Sequence, residues 1–176
     1  MAIKAFVLTF LILASTAYFI PVKSSQKIEV DKDMPLVIFE KPLMYTLDEK
    51  SIHRIVLANN AIKYKNRDEM FDVDVTLKNQ DQTQNYNHEK LKADKIVKND
   101  LIYTLTNNVK YTRDNFIKLN TQELIFDDKN KIAQNDKPFD GVYNANYVNG
   151  SNLYLDINND FIKANNTHFE IDVTKK

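Results

Sequence analysis

The chain has no cysteine and only two glycines in 176 residues. Without thiols there can be no disulfide scaffold, no thiolate zinc centre and no cysteine nucleophile. Neither sign of charge is in excess, with 24 Lys and Arg against 24 Asp and Glu. No basic field is therefore available to draw in phosphate backbones, and nucleic-acid binding is set aside. No phosphate loop, nucleophile elbow or Ser/His/Asp order occurs. What the chain does have is abundant Asn and Lys, one long uncharged run at its start, and recurrent two-residue alternation after it.

The uncharged run extends from Ala5 to Val22, behind a single early Lys4. About 18 residues at 1.5 Å each give a helix of about 27 Å, close to the roughly 30 Å hydrocarbon core of a bilayer. Lys4 on a short head favours a cytoplasmic N-terminus, which Lys23 and Lys27 weaken without reversing. The competing reading is a cleaved signal peptide with Ser15 and Ala17 as the small residues before the cut. The run continues through Tyr18, Phe19 and Ile20, which suits an anchor better. A lipoprotein anchor lacks its Cys, and a core helix would not be apolar on every side at the very terminus. The expected organisation is a transmembrane anchor over 1–22, a linker over 23–35, and one domain over 36–176 outside the cytoplasm.

In that domain Phe71, Val73, Val75 and Leu77 alternate with polar residues, as do Leu101, Tyr103 and Leu105, and Leu124 and Phe126. Tyr143, Ala145 and Tyr147 alternate likewise, and Ile52–Leu57 reads as a further strand. Leu153, Leu155 and Ile157 oppose Asn152, Tyr154 and Asp156, while Phe169, Ile171 and Val173 alternate with His168, Glu170 and Asp172. "NNDFIKANN" between these last two reads as the turn of a hairpin or meander. Many short strands, turn-like connections and no crossover helix predict an all-β antiparallel sandwich, jelly roll or open barrel.

Candidate chemistry is sparse. His53, His88 and His168 have no ligand-like spacing, so they read as solvated histidines rather than a metal site. "DDKNKIAQNDKP" and "DINNDFIKANN" lack the sixth-position Gly and twelfth-position Glu of a calcium loop, and read as turns. Asp72 and Asp74 fall on one strand face about 7 Å apart, near a glycosidase-like separation, but acidic pairs on a wet strand face are commonplace. Asn149-Gly150-Ser151 and Asn165-Asn166-Thr167 match glycosylation sequons at a frequency expected of an Asn-rich chain. An antiparallel β domain of this kind can hold a lipid between its sheets, add an edge strand to a partner, or serve as an adaptor.

Particular residues carry the reading further. "LKADKIVKNDLIYTLTNNVKY" resembles the recurring segment of lipopolysaccharide-transport β-jellyroll proteins, in which an L-x-A-D strand start precedes an apolar strand and a G-N-V turn. Leu91, Ala93, Asp94, Asn108 and Val109 match, with Asn107 where that pattern has Gly. "NTQELIFD" resembles the family's threonine-containing strand, and Gly150 with Leu153 its closing module. With an N-terminal span, the arrangement resembles the LptC family; the soluble bridge protein LptA, with a cleaved signal, is the nearest relative to confuse with it.

The resemblance implies an open β-jellyroll of two facing antiparallel sheets, preceded by one transmembrane helix, in the inner membrane with its bulk in the periplasm. It implies no enzyme activity and no cofactor. Lipopolysaccharide acyl chains would lie between the sheets after extraction by an ABC transporter, with membrane subunits LptF and LptG and ATPase LptB, and pass to the bridge protein LptA. The slot is expected from Phe71, Val73, Val75, Leu124, Phe126, Leu153, Leu155 and Ile157. Docking edges are expected at Leu36 and Ile38 towards the transporter, and at Phe169, Ile171 and Val173 towards the bridge.

Overall fold

Two-residue alternation gives a strand one buried and one solvated face, and in the computed structural model of the chain the described residues form twelve strands. It describes residues 33–47, 52–79, 86–114, 116–159 and 161–171. All belong to the second of the chain's two units, Met1–Asp31 and Lys32–Lys176. The strands are β1 (Val37–Glu40), β2 (Leu43–Leu47), β3 (Ile52–Leu57), β4 (Asn60–Lys63), β5 (Asp68–Lys78), β6 (His88–Asn99), β7 (Ile102–Arg113), β8 (Ile117–Asp127), β9 (Ile132–Gln134), β10 (Pro138–Tyr143), β11 (Asn146–Asp156) and β12 (Phe161–Glu170). They form one sheet in the order β1-β4-β5-β6-β7-β8-β10-β11-β12, with β2 on β3, β3 on β5, and β9 between β8 and β11. Every pairing is antiparallel, and the described residues contain no helix, so the expected all-β class is the observed one. The expected membrane span lies outside the described residues, among which no helix is long and apolar enough to cross a membrane.

A seam crosses the sheet at right angles to its strands. β5 pairs with β4 before Asp72 and with β3 after it. Likewise β8 pairs with β10 up to Thr121 and with β9 from Ile125 onward. At the seam, the buried position shifts by one residue along each long strand. Met70 and Val73, Ala93 and Ile96, and Thr121 and Leu124 all lie on the core side, three residues apart instead of two. An inserted residue that bends a strand while keeping its apolar set on one side is a β-bulge. The seam therefore divides the sheet into two halves that contribute to one core: Val56, Val73, Ala93 and Val109 from one, Ile96, Leu105, Leu124 and Ala133 from the other.

The asparagines explain how so few glycines suffice. Neither glycine has positive φ, whereas eleven other described residues do, among them Asn107, Asn108, Asn144, Asn152 and Asn166 and the acidic Asp72, Asp100 and Asp114. Asn and Asp enter the left-handed region more readily than other non-glycine residues because their short polar side chains hydrogen-bond locally. Asp72, Asn107, Asn108, Asn152 and Asn166 all lie at the seam. Asn107, where the resembled pattern has Gly, has φ 61°.

Three expectations need correction. Tyr143, Ala145 and Tyr147 do not share a strand: Asn144 and Ala145 have φ 49° and 68° and join β10 to β11 as a two-residue hairpin, with Tyr143 facing Asn146. Two successive left-handed residues are what such a turn requires. "NNDFIKANN" is not a turn throughout, since β12 begins at Phe161 and pairs with Asp156. The Asn108-Val109 step is a bulge within β7 rather than a chain reversal, because the register to β6 slips between Lys92 and Lys95.

Candidate functional site

Neighbouring strands bring their core-facing residues into rows along the seam. One row runs Phe39, Ala61, Met70, Ile96, Leu105 and Leu124, each opposite the next across the ladder. Another, in the other half, runs Met44, Val56, Val75, Leu91, Tyr111, Leu119, Gly141, Val148 and Phe169. Nine strands at about 4.8 Å make an apolar trough of about 38 Å along the seam. Midway along it Leu105 is 2% and Val109 1% exposed, so there the two half-sheets cover each other, and apolar side chains become exposed only towards the ends. At one end Val37, Phe39 and Met44 are exposed, and at the other Ile162 and Phe169.

Of the eight expected slot residues, Val73 and Leu124 are in the buried cluster, and Val75, Phe126 and Leu155 pack against it. Leu153 is buried beside the corner, and Ile157 is exposed past the end of β11. Phe71 lies on the opposite face, beneath the Lys95 ammonium at 5.1 Å. Its uniform alternation with Val73 is broken by Asp72, whose φ of 51° shifts the side-chain phase between them. Leu36, Ile38, Phe169 and Ile171 are exposed at the two ends of the sheet. Val173 lies outside the described residues.

The motif residues converge on the seam. Leu91 packs against the core, and Ala93 and Val109 belong to it. The Asn108 amide donates to the Asp94 carboxylate at 2.7 Å, tying the bend of β6 to that of β7. Gly150 sits where an added Cβ would meet Asn165 O, the Phe139 ring and Thr167 at 3.0 Å each. The corner between β9 and β10 is held by a buried polar group that alternation could not reveal. The Asn135 amide donates to Thr121 Oγ1 at 2.8 Å, and Leu153 N–H donates to Asn135 Oδ1 at 3.0 Å. Thr121 Oγ1 in turn donates to Pro138 O at 3.1 Å.

Charge bounds the trough on one wall. Glu89 accepts from the Tyr111 hydroxyl at 2.6 Å and from Arg113 at 2.7 Å, while Arg113 stacks 4.4 Å over Tyr86. Burial and the adjacent Glu89 carboxylate push the Tyr111 hydroxyl well above the ordinary phenol range, so it stays a donor. On the outer face burial pushes Glu69 up, but hydrogen bonds from Arg67 and Lys95 outweigh it and hold the carboxyl below its ordinary value.

The acidic residues considered for chemistry are engaged structurally. Asp74 pairs with Lys92, and Asp72 forms the bend. Asp127 accepts from Lys129 and Asn130 N–H, and Asp156 from Asn158 and Asn159 N–H, so the two calcium-like segments open on side-chain-capped turns. Among the described residues no three His, Asp or Glu groups gather as metal ligands. No protein-family model matches the chain, and no curated protein matches it.

Proposed function

We infer that the chain is a lipid-transfer component of the lipopolysaccharide export type, an open β-jellyroll whose two half-sheets hold acyl chains along the seam. The supporting observation is the trough: one apolar lane crossing nine strands and ending in exposed apolar side chains at both edges of the sheet. A closed domain would carry its largest apolar residues inside, whereas here Phe39, Ile162 and Phe169 are each more than half exposed. Acyl chains lying in such a lane are stabilised by about 0.8 kcal/mol per methylene removed from water. The outermost strands, β1 and β2 at one end and β12 at the other, have unpaired backbone to add to neighbouring sheets.

In this reading residues 1–22 anchor the chain in the inner membrane. An ATP-driven transporter of the LptB, LptF and LptG type supplies lipopolysaccharide at the β1–β2 end, and an LptA-like bridge accepts it at β12. Energy comes from the transporter. The resemblance over Leu91–Tyr111 and the apolar run Ala5–Val22 support this more specific form.

Photo-crosslinking in cells tests it. Leu155 packs against the core, while its neighbour Tyr154 faces outward onto Phe161, ring centroids 6.3 Å apart. A photoreactive residue at Leu155 is expected to capture glycolipid, and one at Tyr154 is not. If a folded, anchored chain captures none at either position, the protein is an adaptor with a dry core.

A further inference from the structure

The trough and the strand edges leave the outer face of the seam without a role. There the sheet has an opening. β8 pairs with β10 only as far as Thr121 and with β9 only from Ile125, and on its other side the register to β7 slips between Thr106 and Val109. Gln122 therefore has no partner residue on either neighbouring strand. The opening forms a depression of about 150 Å³. Alternation sets the face on which it lies. Val109, Thr121 and Phe139 are buried and stand opposite one another across β7, β8 and β10, so the residues flanking each of them point away from the core. Asn108 and Lys110, Asn120 and Gln122, and Pro138 and Asp140 thus surround the depression from the outer face. Bulges recur where a sheet re-aims side chains towards a site.

The lining has a definite chemistry. The Asn120 amide donates to Asp140 Oδ2 at 2.9 Å, and the Asn108 amide donates to Asp94 Oδ2 at 2.7 Å. Each pair uses one amide hydrogen and one carboxylate oxygen, which leaves a second donor beside a second acceptor. A hydroxyl both donates and accepts, so neighbouring hydroxyls match such a pair. Lys110 stands between the two pairs, opposite Asn120 on β8 and opposite Lys92 on β6. Asp74 neutralises Lys92, whereas Lys110 has no carboxylate partner among the described residues. Like charges directly opposite each other destabilise a sheet, and an anion at Lys110 relieves that cost. Lys90 and Lys118, on either side of Thr112, extend the same positive field. Pro138, exposed at the rim, offers an apolar face to ring carbons.

We propose that the depression binds a sugar ring carrying an anionic substituent, with the amide–carboxylate pairs on its hydroxyls and the Lys110 ammonium on its charge. The site lies on the face opposite the trough and does not depend on what the trough holds.

Isotope-labelled full-length protein in neutral detergent micelles is titrated with glucuronate, glucose 6-phosphate, glucose and inorganic phosphate, following backbone and side-chain amide signals by NMR. Both anionic sugars are expected to shift the signals of Asn108, Asn120 and Gln122 with a Kd of about 1 mM, as so few contacts allow, and glucose and phosphate to bind at least about tenfold more weakly. The tighter of the two anionic sugars identifies which anion the site takes. Lys110→Met is expected to weaken both anionic sugars at least about fivefold and leave glucose unchanged, and Asp140→Ala to weaken all three sugars. Lys129→Met, at an exposed turn lysine elsewhere, is expected to change neither. The substituted side chains are exposed, and unshifted signals from Val109 and Thr121 show that each variant keeps the fold. Phosphate or glucose binding as tightly as glucose 6-phosphate overturns the proposal. So do affinities unchanged in both Lys110→Met and Asp140→Ala, or the absence of shifts with any sugar.

Discussion

Replacing Asn135 by Ala strikes the corner where the chain leaves one half-sheet for the other. Asn135 is 6% exposed and Thr121 is 6% exposed, so water cannot replace the lost partners. The substitution removes the acceptor of Leu153 N–H and the donor to Thr121 Oγ1. A buried N–H left without a partner costs about 1–3 kcal/mol, and a lost neutral hydrogen bond about 1 kcal/mol. The Thr121 hydroxyl keeps Pro138 O as its acceptor and adds no further penalty. The expected destabilisation is about 2–4 kcal/mol, which at a urea m-value of about 2 kcal/mol/M moves the unfolding midpoint down by about 1–2 M. Equilibrium urea unfolding followed by circular dichroism measures it, with exposed Lys118→Ala as the comparison. Thr121→Val is expected to cost less, and the double variant to be non-additive by at least about 0.5 kcal/mol, because the two side chains share one hydrogen bond. A loss under about 1 kcal/mol, or strict additivity, would refute the claim that this polar group holds the corner.

Asn107→Gly should raise the melting temperature, since φ of 61° costs an Asn more than a Gly, while Asn107→Val should lower it because a β-branched residue resists that conformation; thermal unfolding of the pair reads the sign. Gly141→Ala is expected to prevent normal folding, because its Cβ would lie 2.2 Å from the backbone oxygen of Lys118 in the neighbouring strand; the check is soluble yield and the proton spectrum. Glu69, held below its ordinary pKa by Arg67 and Lys95, stabilises the fold above the unfolded value of about 4.3, and that contribution fades as pH falls through the lower folded value. Glu69→Gln should therefore lower stability near neutral pH and make it less pH-dependent below about 4.5, as measured by urea midpoints across pH 3–7. An unchanged acid slope would mean that other carboxylates set it.

The class of the fold was legible because the period of two is written into the residues themselves. Ile52–Leu57 was readable as a strand for that reason, and the chain forms one there. Long strands hid their bends. Phe71, Val73 and Val75 read as one uninterrupted alternation, and only the backbone at Asp72 places Phe71 on the other face. The signal was present in a weaker form, as three-residue apolar steps such as Met70 to Val73, which spans Asp72, a residue type able to enter the left-handed region. The Asn135–Thr121 group was not legible, because two short polar residues 14 positions apart carry no pattern until β8, β9 and β11 are assembled.

By itself the sequence determined that the chain makes strands with one apolar face and excluded thiol chemistry, since these follow from composition and local spacing; Leu91, Ala93, Asp94, Asn108 and Val109 were grouped only by the resemblance to a family pattern. Only the tertiary structure decided which face each residue takes beyond a bulge, and that Asp94 and Asn108 bind each other at the seam. Those outcomes depend on register between strands, and register is fixed by the sum of bends and partners over the whole sheet rather than by any one segment.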